Sequence, residues 1–328
     1  MLNFCTLFNS LYLTRGLAMY RSLERHAPDF HLYIFAFDDA ALNTLRALRL
    51  PKATIISLQE FEDERLLALK PSRTPGEYCW TCTPATIEYC IEKYQLAACT
   101  YIDADLLFFS NPAVLTAEME HKSVLITEHR YTPAYDQTAT SGKYCVQFIS
   151  FKNDTAGRQV LTDWKEKCFE WCYNRFEDGK FGDQKYLDSW CERFTGVHEL
   201  QHTGGGVAPW NIQQYSFSGQ GDKITGTEIS GEKSFELVFY HYHDYKYCMA
   251  DGCYLGEYVI TLPQMRSIYK PYIKALQAAE QELAAAGLTG TFHETREIPR
   301  LHTSLNRLFK YYLAGYTNKY YKRKYITG

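Results

Sequence analysis

Cys99-Thr-Tyr-Ile-Asp-Ala-Asp-Leu-Leu-Phe-Phe-Ser-Asn-Pro112 decides the fold. Tyr101 and Ile102 lead into Asp103, and Leu106, Leu107, Phe108 and Phe109 follow Asp105. Two carboxylates therefore sit inside an apolar run that has the pattern of a buried strand and its exit. Charges are rarely placed there without a partner. Residues two apart on an extended chain share a face, so Asp103 and Asp105 aim at one spot. They repel unless a cation or a proton lies between them. A hard divalent cation, Mg²⁺ or Mn²⁺, is the natural occupant, with a diphosphate as its usual co-ligand. The competing reading is a β-turn with two solvated aspartates, and the apolar frame argues against it.

Tyr101-Ile-Asp-Ala-Asp-Leu106 resembles the Asp-x-Asp segment of GT-A-fold glycosyltransferases, especially glycosyltransferase family 8 and its bacterial relatives. The resemblance implies an α/β GT-A fold, a Rossmann-like mixed sheet flanked by helices. It implies a nucleotide-sugar donor, a UDP-sugar, held through Mn²⁺ or Mg²⁺ on Asp103 and Asp105, and a saccharide or lipid-linked hydroxyl acceptor.

At 328 residues the chain has room for one large α/β domain with an appendage. The net charge of −3 gives no footprint for nucleic acid. The 27 tyrosines suit stacking on sugar rings and equally suit a Tyr-rich core. Met1-Leu-Asn-Phe-Cys lacks a basic start and a cleavage site, so no export signal is expected. Eleven cysteines, an odd number, are expected as reduced thiols in a cytoplasmic protein. Cys79-Trp-Thr-Cys82 is a candidate redox or zinc pair, and a non-enzymatic zinc or thiol protein built on it is one rival reading. A loop precedes it and Cys168-x-x-x-Cys172 is the only nearby candidate for a second ligand pair, so packing is the simpler role.

In chain order, Phe4–Phe8 predicts a first strand and Leu11–His26 a helix. Ligands usually bind where such a strand ends. The helix resembles the opening helix of GT-A transferases, which implies Thr6, Leu7 and Asn9 near uracil. His31–Phe37 and Ala53–Leu58 predict two more strands, separated by a helix that Asp38 caps. Residues 59–76 are expected to loop, and Thr83-Pro84 to open the next helix. Family 8 usually carries an Arg there; this chain has Tyr78-Cys-Trp-Thr-Cys82, with Arg73 the nearest. Ser123–Thr127 and Lys143–Phe151 predict strands. Cys145 and Gln147 stand where the family has Asn and Gly, which implies a different acceptor pocket.

Trp164–Tyr173 is expected to be helical, and Gly182-Asp183-Gln184 to open another helix, with Asp183 as its cap. Asp183 and Gln184 resemble the pair that faces the sugar and its anomeric carbon. Gly204, Gly205 and Gly206 offer backbone N–H groups for phosphate, and Trp210-Asn211 follow as candidate ligand contacts. Residues 218–234 are expected as a hairpin or loop. Phe235–His243 predicts a late strand that puts His241 and His243 on one face. The resemblance implies His241 as a third metal ligand and Lys246 near the phosphates.

The GT-A-like catalytic domain is expected over 1–265 and a helical, basic and aromatic extension over 266–328. From residue 300 the chain carries Arg300, Arg307, Lys310, Lys319, Lys322, Arg323 and Lys324 with no Asp or Glu. Tyrosines interleave, a composition that suits an anionic membrane surface and a peripheral place at the inner membrane face. A sugar nucleotidyltransferase is the second rival, but no Gly-rich basic loop follows Phe8. With no second acidic cluster beside Asp183-Gln184, retention of anomeric configuration is expected.

Overall fold

The computed structural model describes residues 1–220, 223–231, 233–248, 251–296, 305–317 and 319–328. Arg300 lies outside them, and the side chain of Arg307 is not described. Three parallel strands come first: β1 (Leu2–Phe8), β2 (Phe30–Ala36) and β3 (Ala53–Ser57). Next along the chain are β4 (Ala98–Ile102), β5 (Leu106–Phe108), β6 (Val124–Glu128), β7 (Tyr144–Lys152) and β8 (Val197–Glu199). The main sheet runs β3-β2-β1-β4-β7-β6-β8, with β7 antiparallel to both neighbours.

Alternation along β1 builds both faces. Phe4 and Phe8 join one core with α1 (Leu13–His26) and α2 (Asp39–Leu48), while Cys5 and Leu7 join the opposite core. Asp38 caps α2, its Oδ1 accepting from the Ala41 amide at 2.7 Å. Its Oδ2 accepts from the Ser10 amide and hydroxyl, which ties the end of β1 to the end of β2.

Residues 59–76 are not a loop. Two short helices, α3 (Leu58–Phe61) and α4 (Glu64–Leu69), fill the stretch, capped by Ser57 and Asp63. The following helix, α5 (Pro75–Lys93), starts at Pro75 rather than at Pro84. Thr74 and Glu77 form a reciprocal cap there, a stronger start signal than Thr83-Pro84. Pro84 lies inside α5, so Cys79, Trp80, Cys82 and Thr83 are all helical. The helix expected at 164–173 spans Thr155–Glu170, capped by Asp154.

Beyond residue 200 the strands are short: β9 (Gly205–Val207), β10 (Tyr215–Gln220), β11 (Lys223–Glu228), β12 (Ser234–Glu236), β13 (Phe239–His241), β14 (Tyr245–Cys248) and β15 (Gly252–Leu255). The expected late strand is thus broken into β12 and β13. β13 pairs antiparallel with β5 and parallel with β9, forming a small second sheet.

The segment after 265 packs against the elements that precede it. The helix Lys270–Ala285 buries Leu276, Ala279 and Leu283, and the last two sit in the core of α1 and α2. Thr295–Arg296 adds a strand beside β14, and Tyr320–Lys322 one beside β15.

Candidate active site

β4 ends at Ile102, the chain turns through Asp103-Ala-Asp105, and β5 begins at Leu106. The Asp103 amide donates to the Gln147 carbonyl of β7 at 3.1 Å, and the Tyr242 amide donates to the Asp105 carbonyl at 3.0 Å. The β5–β13 register sets His241 opposite Leu106. These backbone bonds bring His241 Nε2 to 3.2 Å from Asp105 Oδ1 and 3.6 Å from Asp103 Oδ2.

His241 Nδ1 lies 2.6 Å from Gln147 Oε1. A proton donated there leaves the Nε2 lone pair facing two carboxylates, which is repulsive unless a cation sits between them. The three ligand atoms lie within 4.8 Å of one another. Two carboxylates and one imidazole fit Mn²⁺ or Mg²⁺. Without a metal the group holds protons instead. Burial would lower the His241 pKa, but Asp105 and then Asp103 push it well above the ordinary value. Burial would raise Asp105, but the His241 charge holds it down to about 2. Asp103 is pushed up to about 6, chiefly by burial.

The metal-type group opens on a cavity of ≈ 720 Å³, within the range of ligand sites. Leu7, Asn9 and Tyr12 line it from the end of β1, and Trp80, Thr83, Asp183 and Gln184 line it as well. Asp183 is buried, and desolvation followed by the Asp103 charge pushes its carboxyl up to about 8. It does not cap a helix: the turn that follows is a 3-10 helix, Lys185–Ser189, without a side-chain cap. Thr83, beside the carboxyl, offsets only part of that rise, and its hydroxyl donates to the Cys79 carbonyl at 3.1 Å. Gln184 Nε2 donates to the Ser141 carbonyl at 2.7 Å, so Oε1 is the atom it has to offer a ligand.

Lys246 reaches the same cavity, its Nζ 3.2 Å from Glu294 Oε1. Among the described residues lining the cavity it is the single Lys or Arg. Arg73, where family resemblance looks for a cation, is buried behind α5 with its guanidinium 4.0 Å over the Tyr173 ring.

The structure therefore brings together Leu7, Asn9, Asp103, Asp105, Asp183, Gln184, His241 and Lys246. It does not bring in Thr6, Asn211 or the three glycines. Thr6 is buried within β1. Asn211 Nδ2 donates to the His129 and Gly206 carbonyls, which seats the neighbouring Trp210. The expected phosphate cradle is a packed strand. A Cβ on Gly204 would meet the Glu236 carbonyl oxygen at 1.9 Å, and one on Gly205 would meet Leu115 at 2.7 Å. The Gly204 and Gly205 amides are already spent on His202.

Sequence reading missed Tyr12, Trp80, Tyr101 and Glu294. Tyr101 was within reach, because it lies two residues before Asp103 and its hydroxyl donates to Asp103 Oδ1 at 3.1 Å. Trp80 was hidden by assigning its stretch to a loop. Glu294 arrives through pairing of Thr295 with Tyr247, a contact that no local pattern announces. Cys79 and Cys82 meet no third ligand among the described residues. Burial raises both thiols, Cys79 to about 12, so they are inert packing groups.

The chain is 30% identical over 293 residues to YfnD of Bacillus subtilis (strain 168), an alignment covering 87% of this chain and 91% of that protein. The chain belongs to the YfnD family. YfnF of the same organism is 32% identical over 251 residues, covering 74% of this chain and 81% of that protein. Both relatives are themselves uncharacterised proteins. No protein-family model matches the chain. Among solved structures, the galactosyltransferase LgtC in complex with donor and acceptor sugar analogues aligns with a TM-score of 0.50 and 12% identity. That alignment covers 88% of this chain and 97% of LgtC. This member of the YfnD family therefore has the GT-A fold, as the Asp-x-Asp segment led one to expect.

Proposed function

We propose that the chain is a glycosyltransferase that moves a sugar from a UDP-sugar to a hydroxyl of a saccharide or lipid-linked acceptor, with retention of configuration. The observation that carries this reading is the convergence of Asp103, Asp105 and His241 in a cavity that Asp183, Gln184 and Trp80 also line. The GT-A fold supports it. Asp103, Asp105 and His241 would hold Mn²⁺ or Mg²⁺, which when bound supplies Lewis-acid neutralisation of the diphosphate. Lys246 adds positive potential where charge grows on the leaving group. Tyr12 and Leu7 offer apolar faces to the base, and Trp80 offers one to the sugar.

An inverting enzyme needs a base beside the acceptor hydroxyl. Asp183 holds its proton through neutral pH, and Glu294 is engaged by Lys246. The lining carboxylates outside the metal group thus leave no ready base, and burial lowers the lining imidazoles His129 and His243 to about 3 and about 4, too weakly basic for the task, which favours proton uptake by the departing phosphate on the same face. Gln184 Oε1 would stabilise the positive charge on the anomeric carbon. A sugar nucleotidyltransferase is disfavoured, because Asn9 leads through a single 3-10 turn directly into α1 and leaves no phosphate-binding loop.

The test is a panel of UDP-sugars with Mn²⁺ or Mg²⁺, read by UDP release and by the anomeric signals of the product in NMR. Turnover of at least one donor, lost in Asp105→Ala, is expected. No turnover of any donor with either metal would refute the reading, and an inverted anomer would reject retention. Gln184→Ala is expected to lower turnover by about 100- to 1000-fold, by analogy with the loss of one transition-state contact.

A further inference from the structure

The ten residues Leu305–Ala314 form a helical stretch, α-helical over Leu305–Phe309 and π-helical over Lys310–Ala314. Its two faces differ in kind. Tyr311 is buried in a small cluster with Cys248, Tyr254 and Tyr320, and Leu308 packs against that cluster. This face fastens the stretch to the β14–β15 sheet. The opposite face carries Leu305, Phe309 and Leu313, spaced four apart, with 86%, 62% and 72% of their surfaces exposed. Residues at that spacing stack along one side of a helix. Scattered exposed apolar residues are ordinary, but three large ones in one row are a patch that needs an occupant.

The surrounding charge says which occupant. Lys310 within the stretch and Lys324 nearby in sequence are exposed cations. After Glu297 the chain has no Asp or Glu at all. Lys319 is paired with Glu257, so its charge is partly spent. A second copy of this surface would bring like charges together, and a neutral apolar partner would gain nothing from the cations. A surface that is anionic outside and apolar beneath satisfies both features. Nucleic acid would match the cations but not two leucines in a row with one phenylalanine.

We propose that Leu305, Phe309 and Leu313 insert into an anionic lipid surface, with Lys310 and Lys324 against the headgroups. Docking is independent of the reaction proposed above.

The full chain should be sedimented with vesicles of phosphatidylcholine alone and of phosphatidylcholine with phosphatidylglycerol. Binding to the anionic vesicles is expected, reduced at least about tenfold in a triple Leu305→Ser, Phe309→Ser, Leu313→Ser variant, since apolar insertion and charge act together. Leu67→Ser, exposed on α4, should bind as wild type. Because a triple variant can misfold, Phe309→Trp gives a second readout: its fluorescence should be quenched by lipids brominated in the acyl chain, beyond the quenching seen in wild type. Equal sedimentation of wild type and triple variant, or no added quenching, would overturn the proposal. So would a concentration-dependent dimer abolished by the triple variant, which would make a second copy the occupant.

Discussion

Asp183 shows how one buried residue fixes both chemistry and stability. Its carboxyl sits at about 8 in the folded chain against the ordinary 3.8. The folded state therefore binds more protons than the unfolded state between those values, and stability falls as pH rises through that window. A tenfold difference in proton affinity is worth about 1.4 kcal/mol, so the full window amounts to several kcal/mol. Asp183→Asn should leave stability at pH 4 nearly unchanged and raise the melting temperature at pH 8 in the metal-free protein. A melting difference independent of pH would show that Asp183 is not held protonated. The residue types of this site were legible in sequence because Asp103, Asp105, His241 and Asp183 each broke an apolar or turn context. Gln147, by contrast, is legible only as part of an altered acceptor pocket. Its service to His241 Nδ1 depends on the separation of β7 from β13, which no local pattern encodes.

At the scale of elements, the mismatches between sequence and structure have two causes, and in the first tertiary packing outvoted local chemistry. Gly204–Gly206 has the composition of an anion cradle, yet the three glycines are squeezed against Glu236, Leu115 and Thr127, where an added Cβ would come within 3 Å of a neighbour at each position. Gly206 also has φ +126°, a conformation that favours glycine. Gly204→Ala should therefore cost at least about 2 kcal/mol of stability, as overpacking against backbone does. Chemical denaturation measures it, and an unchanged midpoint would return the run to the status of a ligand loop. The missed start of α5 has the opposite origin. Its capping box at Thr74 and Glu77 is present in sequence, but Pro71 and Pro75 carry the pattern of a loop. Strands β1 and β2 and helices α1 and α2 were legible because their apolar spacing is long and their Asp38 cap is local.

The whole molecule is organised around the exit of β4, and its C-terminal third returns to that exit. A change of composition was legible from residue 300, where basic residues and tyrosines accumulate. Composition does not show where a chain packs. The helix Lys270–Ala285 joins the α1 core, with Glu282 paired to Arg21, and the strand after it sets Glu294 on Lys246. That last contact means the cavity already carries an anion on its one Lys. Entry of a diphosphate is then an exchange of one negative group for another, not the filling of a bare positive site. Such an exchange discharges no net field, so added salt should weaken nucleotide binding only slightly in wild type. In Glu294→Gln the nearer of the two anions on Lys246 is gone, leaving Asp244 at 3.8 Å, and UDP affinity measured by calorimetry at low salt should rise about two- to fivefold, the worth of a half-exposed ion pair. The gain should fade as ionic strength increases, since screening removes the advantage of the partly released cation. Weaker binding in Glu294→Gln would instead make that carboxylate a ligand contact.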